Sequence, residues 1–153
     1  MGAEARLLEL GITLADAPSP VANYQVAVAS GRLLFVSGHG PALANGTLLR
    51  GKVGDAFSLE QAYEASRVTG MGLLATLRSE LGTLDRVARI VKVFGMVNCS
   101  PGFTRTPEVI DGCSDLLVEV FGVERGRHAR SAVGVAELPF DIPVEIELIC
   151  EID

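Results

Sequence analysis

Arg130 and Glu145 are the residues whose types and spacing are best suited to binding a small ligand and acting on it. They lie in residues 128–137 and 144–151, two stretches of alternating character separated by a short turn that contains two prolines. If the two strands pair as a hairpin with their apolar sides together, Val133 and Val135 join the core with Val144 and Ile146. Arg130 and Glu145 then share a face, above a floor made by the small residues at 132 and 134. An arginine fork beside a carboxylate predicts a pocket for a small carboxylate ligand.

Each candidate also has a purely structural interpretation. Arg130 could form a salt bridge to Glu145 or Glu147 across the hairpin. Glu145 could orient or activate a water molecule, or it could only neutralise the arginine. His39 and His128 have no Cys or carboxylate at ligand spacing, so no metal site is predicted, and no Gly-x-Ser-x-Gly motif indicates a serine hydrolase.

The pattern of the chain predicts one α+β domain over residues 1–153, in the order β-β-α-β-α-β-β, after an amino-terminal arm at residues 1–20. Ser58 and Gln61 form a capping-box pattern for a helix that ends at Gly82. Thr106 and Pro107 are typical of a second helix start, with Gly122 at its end. Strands are expected at residues 24–29, 32–37 and 86–97 and in the two stretches above. The strand at 86–97 is apolar on both faces, so it is expected inside a mixed sheet that two helices cover on one face.

Composition narrows the possible functions. The 153 residues carry a net charge of −6 and only two lysines, so nucleic acid is not the expected partner. No apolar run approaches the ~20 residues of a membrane helix, and no secretory signal is apparent. Three widely spaced cysteines indicate a reducing compartment, so the cytoplasm is expected.

Three blocks, in order and with matching spacing, resemble the RidA/YjgF/YER057c/UK114 family, also called endoribonuclease L-PSP. They are residues 24–28 (YQVAV), residues 31–39 (GRLLFVSGH) and the carboxy-terminal set of Arg130–Ser131, Leu138–Pro139 and residues 144–147. The resemblance covers residues 21–151. It implies a chorismate-mutase-like fold and homotrimers whose ligand sites lie in clefts between subunits. The sequence departs from the family pattern at Asn23, His39 and Ala132, where the family has Pro, Gln and Cys.

The resemblance also implies roles for particular residues. Arg130 would hold the substrate carboxylate, and Glu145 would position the water that attacks an imine carbon. The other residues expected to line the cleft are Tyr24 from a neighbouring subunit, Ser37, Gly38, Phe94 and Ala132. Because position 132 lacks a thiol, it can contribute only backbone groups, and cysteine catalysis there is excluded.

The activity that follows from the resemblance is hydrolysis of reactive 2-imino acids to 2-keto acids and ammonia, without a cofactor. One alternative is a trimer that binds a small carboxylate without turnover. Ribonuclease activity ranks last, because the chain is acidic and has no histidine pair.

Overall fold

A computed structural model describes residues 1–153, and its centre is a five-stranded mixed sheet packed against helices. The elements in chain order are α1 (Ala3–Glu9), β1 (Ala27–Ser30), β2 (Leu33–His39), α2 (Leu59–Leu81), β3 (Val87–Asn98), α3 (Thr106–Gly126), β4 (Ala129–Val135) and β5 (Val144–Ile152). The strand order across the sheet is β1-β2-β5-β3-β4. Only β3 and β4 run parallel, and the other neighbours are antiparallel. The predicted α+β fold, with β3 inside the sheet, is confirmed.

The hairpin predicted for β4 and β5 is wrong. β3 lies between them and pairs with both, parallel to β4 and antiparallel to β5. Because β4 borders only one strand, it is an edge of the sheet. The alternating patterns of β4 and β5 are equally compatible with direct pairing and with a strand between them, so the pattern alone could not identify the neighbour.

The two long helices begin where the sequence predicts, with one difference in capping. In α2 the Ser58 hydroxyl accepts from the Gln61 amide and the Gln61 side chain accepts from the Ser58 amide, which confirms the capping box. In α3 the predicted cap Thr106 is instead the first helical residue, and Arg105 caps the helix without a side-chain hydrogen bond. The Thr106 hydroxyl donates to the carbonyl of Ala132 on β4. Gly122, with φ of 80°, kinks α3 and does not end it.

The core lies between the sheet and the face covered by α2 and α3, which we call the helix face. Val144, Ile146 and Leu148 of β5 point to that side and are buried. The opposite side, which we call the open face, has no helix against it and carries exposed apolar side chains. Val28, Phe35 and Val133 there are 53%, 42% and 39% exposed. None of the helices combines the length and the apolar character needed to cross a membrane.

A buried polar pair joins β2 to α2. His39 Nδ1 lies 2.7 Å from the Ser37 carbonyl, so this nitrogen must carry the proton, and Nε2, 2.7 Å from Thr76 Oγ1, accepts from the hydroxyl. Burial lowers the pKa of His39, which favours the neutral ring that this arrangement requires.

We therefore expect Thr76→Val to destabilise the protein by about 1–3 kcal/mol, because it leaves a buried ring nitrogen without a donor at nearly constant side-chain volume. Thr76→Ser is the matched control, since it keeps the hydroxyl and loses only a methyl group. Urea unfolding of both variants measures the difference. Equal stability of the two would contradict the proposed hydrogen bond.

Candidate functional site

Arg130 lies on the edge strand β4, and its side chain points to the helix face. Its Nη1 donates to Asp111 Oδ1 at 2.7 Å and to Ser114 Oγ at 3.1 Å, both on α3. The side chain keeps 23% of its surface exposed. The alternative interpretation of Arg130, a salt bridge to Glu145 or Glu147 of β5, is therefore wrong as to the partner. The counter-ion of Arg130 is Asp111, which comes from the helix packed against β4.

Two nitrogens of Arg130 remain free for a ligand. Both hydrogens of Nη1 are used by its two α3 partners, whereas Nε and Nη2 donate to no group of the chain. Neither of these two nitrogens is fully buried, so a ligand can reach both. The Nε–Nη2 edge of a guanidinium matches the spacing of the two oxygens of a carboxylate. Arg130 can therefore accept a carboxylate without giving up the contacts that hold it.

Glu145 lies on the open face of β5, opposite Met96 of β3. Its carboxyl group packs over Gly38, where an added Cβ would come within 2.9 Å of the carboxyl carbon. Gly38 thus makes room for this side chain at the irregular end of β2. Partial burial raises the pKa of Glu145, and the nearby charge of Glu147 raises it further. A raised pKa makes the carboxylate a stronger base, which suits it to accept a proton and return it.

Arg130 and Glu145 do not share a face of the sheet, contrary to the sequence-based prediction. Val93, beside Arg130, is buried on the helix face, whereas Glu145 alternates with the buried Val144 and Ile146 and so points the other way. The prediction assumed that the apolar residues of β4 point to the core. Val133 in fact faces the apolar open side.

The other predicted site residues lie in three places: on the open face, near the end of β2, and on the helix face. Phe94 sits on the open face, between Ser131 and Glu147 in the ladder. Ser37 donates its hydroxyl to the Gln25 carbonyl at 2.7 Å, which ties the segment before β1 to the end of β2. Tyr24 lies in that segment and is 46% exposed. Ala132, two residues after Arg130, points to the helix face.

Sequence reasoning missed the polar partners of Arg130. Ser114 Oγ contacts Arg130 and also lies 3.0 Å from His128 Nε2, and His128 Nδ1 lies 2.6 Å from the Gly126 carbonyl. Burial lowers the pKa of His128, with the carbonyl opposing this shift and the charge of Arg130 adding to it. The available signal was the i, i+3 spacing of Asp111 and Ser114, which places both on one side of α3.

The pKa shift of Glu145 gives a prediction for stability. Since its pKa is raised in the folded state, Glu145 favours folding when protonated, and that contribution is lost as the pH rises through the folded-state pKa. Glu145→Gln cannot ionise. We expect it to have a higher Tm than the parent protein at pH 7, and we expect the difference to shrink at pH 4. A lower Tm for the variant at pH 7 would show that the carboxylate has a stabilising partner.

Known proteins are similar to this chain over nearly its whole length. A family model described as "YjgF/chorismate mutase-like, putative endoribonuclease" matches residues 4–152. The curated Protein TCP17 of Trypanosoma cruzi is 42% identical over 149 residues, which cover 97% of this chain and 93% of that protein.

Solved structures extend the likeness to three dimensions. The protein Atu1372 of Agrobacterium tumefaciens, described as of unknown function, is 42% identical with a TM-score of 0.90, over 99% of this chain and 92% of that one. A Shewanella oneidensis MR-1 protein described as "a putative endoribonuclease" is 31% identical with a TM-score of 0.94, over 99% of this chain and 100% of that one. TdcF of E. coli, solved with bound serine, shares the fold at 22% identity and a TM-score of 0.62, over 93% of this chain and 100% of that one.

Proposed function

This chain belongs to the YjgF/chorismate mutase-like family, and we propose that it is a cofactor-independent deaminase that hydrolyses small 2-imino acids to 2-keto acids and ammonia. The observation that carries the proposal is the free Nε–Nη2 edge of Arg130, which can bind the carboxylate that every 2-imino acid has. Such a substrate already has an electrophilic carbon, so positioning and charge stabilisation are the main requirements.

The reaction needs one water molecule and a group that moves protons. The substrate reacts as the protonated imine. The Glu145 carboxylate takes a proton from water as the oxygen adds to the imine carbon, and the electron pair of the C=N double bond moves to nitrogen, which becomes a neutral amine. Glu145 then returns the proton to the amine nitrogen. The carbon–nitrogen bond breaks as ammonia leaves with the electron pair of that bond. The hydroxyl oxygen becomes the keto oxygen as it gives its proton to the Glu145 carboxylate, which releases the proton to solvent. The raised pKa of Glu145 suits both proton transfers.

Arg130 and Glu145 can act on one substrate only if they come from different copies of the chain. They lie on opposite faces of the same sheet, so one copy cannot present both to a small ligand. The exposed apolar residues of the open face support self-association, because covering them with another copy removes apolar surface from water and lowers the free energy. We propose a homotrimer in which each cleft receives Arg130 from one subunit and Glu145 from its neighbour. Tyr24 and Phe94 would line these clefts.

The second candidate is a trimer that binds a small carboxylate without turnover. Its support is that Arg130 already has the counter-ion Asp111, and that Ala132 offers no side-chain chemistry beside it. Endoribonuclease activity, which the family description includes, is less favoured. Five acidic residues line the 440 Å³ groove that Asp111 borders, and such a groove repels phosphates. They are Glu60, Glu64, Glu108, Asp111 and Asp115.

The test is the release of ammonia and keto acid when the purified protein is added to an amino-acid dehydratase or oxidase reaction that generates imines. Acceleration above the spontaneous rate is the expected result. Binding of pyruvate without acceleration, across a panel of small amino acids, would replace the deaminase with the binding module. Cleavage of RNA at low salt would support the third activity.

A further inference from the structure

The hydrogen bonds that connect Arg130, Ser114, His128 and the Gly126 carbonyl allow only one assignment of donors and acceptors. The Gly126 carbonyl can only accept, so His128 Nδ1 carries the proton and donates across 2.6 Å. His128 Nε2 then has a lone pair and accepts from the Ser114 hydroxyl at 3.0 Å. With its hydrogen committed to the ring, Ser114 Oγ can serve Arg130 Nη1 only as an acceptor, at 3.1 Å. The chain of donors therefore leads from Arg130 through Ser114 and His128 to the backbone.

The same geometry fixes the orientation of the guanidinium. Asp111 accepts the second hydrogen of Nη1 at 2.7 Å, so one nitrogen is held from two directions. A planar guanidinium with both hydrogens of one nitrogen bound can neither rotate about its Nε–Cζ bond nor tilt freely. Its opposite edge, Nε–Nη2, is then presented in a fixed direction. Pre-orientation of this kind lowers the entropy lost when a ligand binds.

We propose that Asp111, Ser114 and His128 are positioning residues that hold Arg130 by Nη1, so that its Nε–Nη2 edge faces the substrate carboxylate. This inference rests on the proposed function, because it assigns the free edge to that carboxylate. Ser114 and His128 do not touch the substrate. A carboxylate on the free edge lies across the guanidinium from Nη1. Ser114 and His128 are on the Nη1 side, so they do not act as a serine nucleophile and its histidine base.

Two matched pairs of variants test the hydrogen bonds from Arg130 to Ser114 and from Ser114 to His128. Ser114→Ala removes the hydroxyl, whereas Ser114→Thr keeps it. His128→Ala removes the acceptor for Ser114, whereas His128→Gln can still accept from it through the amide oxygen. Arg130 itself is unchanged in all four variants. Any change in the mobility of its guanidinium or in substrate binding must therefore come from the altered residue.

The first measurement uses the free protein and needs no substrate. In nitrogen NMR spectra of the side chains, the held guanidinium of Arg130 should show separate Nη1 and Nη2 signals. We expect these signals to merge in Ser114→Ala and His128→Ala, as rotation about Nε–Cζ becomes fast, and to stay separate in Ser114→Thr and His128→Gln. Unchanged signals in the two alanine variants would overturn the inference.

The second measurement is the deamination rate as a function of imino-acid supply. Binding of the carboxylate contributes equally before and during the reaction, so the alanine variants should raise KM by a few-fold to about tenfold, with kcat unchanged. A fall in kcat at constant KM would overturn the positioning role, because it would place the pair in the chemical step. A wild-type protein that deaminates nothing would refute the proposed function alone, since the NMR signals still decide whether Arg130 is held.

Discussion

Replacement of Arg130 with alanine should lower kcat/KM for 2-imino acids by about 100-fold or more, because it removes two charge-assisted hydrogen bonds to the substrate. Arg130→Lys should recover only part of this loss, since an ammonium keeps the charge but lacks the planar fork. The assay is the release of ammonia and keto acid at several rates of imine supply.

The control for this experiment is Arg127→Ala. Arg127 is an exposed arginine just before β4, and its side chain has no hydrogen bond or salt bridge in the chain, so its loss should leave turnover unchanged. Circular dichroism and size-exclusion chromatography should show Arg130→Ala to be folded, since Asp111 is partly exposed and can be hydrated when its partner is gone. A folded Arg130→Ala protein with nearly wild-type turnover would refute the carboxylate site.

The second large effect concerns the contact between α2 and α3, which sets the position of Asp111 and Ser114. At Gly112 an added Cβ would lie 2.0 Å from the Tyr63 carbonyl oxygen and 3.1 Å from the Arg67 amide nitrogen, both backbone atoms of α2. Gly112→Ala must therefore push the two helices apart. We expect it to destabilise the fold by about 3 kcal/mol or more, at the upper end of overpacking costs.

Gly72→Ala is the matched control within the same helix pair. Its Cβ would find only His39 Cδ2, at an ordinary contact distance of 3.6 Å. Since alanine is the better helix former, this variant should gain about 0.5–1 kcal/mol. Urea unfolding midpoints compare the two directly. Equal shifts of the same sign would show that the helices are not packed as closely as described.

Local signals predicted the elements of the fold well, because each depends on a few neighbouring residues. The capping box at Ser58 and the two apolar faces of β3 both have the predicted consequences. Glycines inside a long helix, here Gly70 and Gly72 of α2, suggest close packing against a sheet, and that expectation is only partly right. An added Cβ at Gly70 would press against Leu116 and Cys113 of α3, not against the sheet, and Gly72 is not tightly packed at all.

The candidate site was harder to predict because it depends on which strands are neighbours. Residue type and spacing indicated Arg130 and Glu145, and the resemblance implied their roles, but the assumed hairpin put them on one face. The insertion of β3 and the apolar open face separate them. His128 gained its partner Ser114 only through the packing of α3 beside β4, a contact that neither residue reveals in the sequence.

The central claim is that Arg130 of one copy and Glu145 of another form a single active site, and mixing two inactive variants tests it most directly. Arg130→Ala and Glu145→Gln proteins, refolded together in equal amounts, should assemble at random into trimers. Each mixed trimer then has one cleft with both native residues, so about one quarter of the clefts in the whole population are native. We expect deaminase activity to return to about that fraction of the wild-type rate, while each variant refolded alone stays inactive. Mixed trimers that form but show no more activity than either variant alone would contradict the shared site.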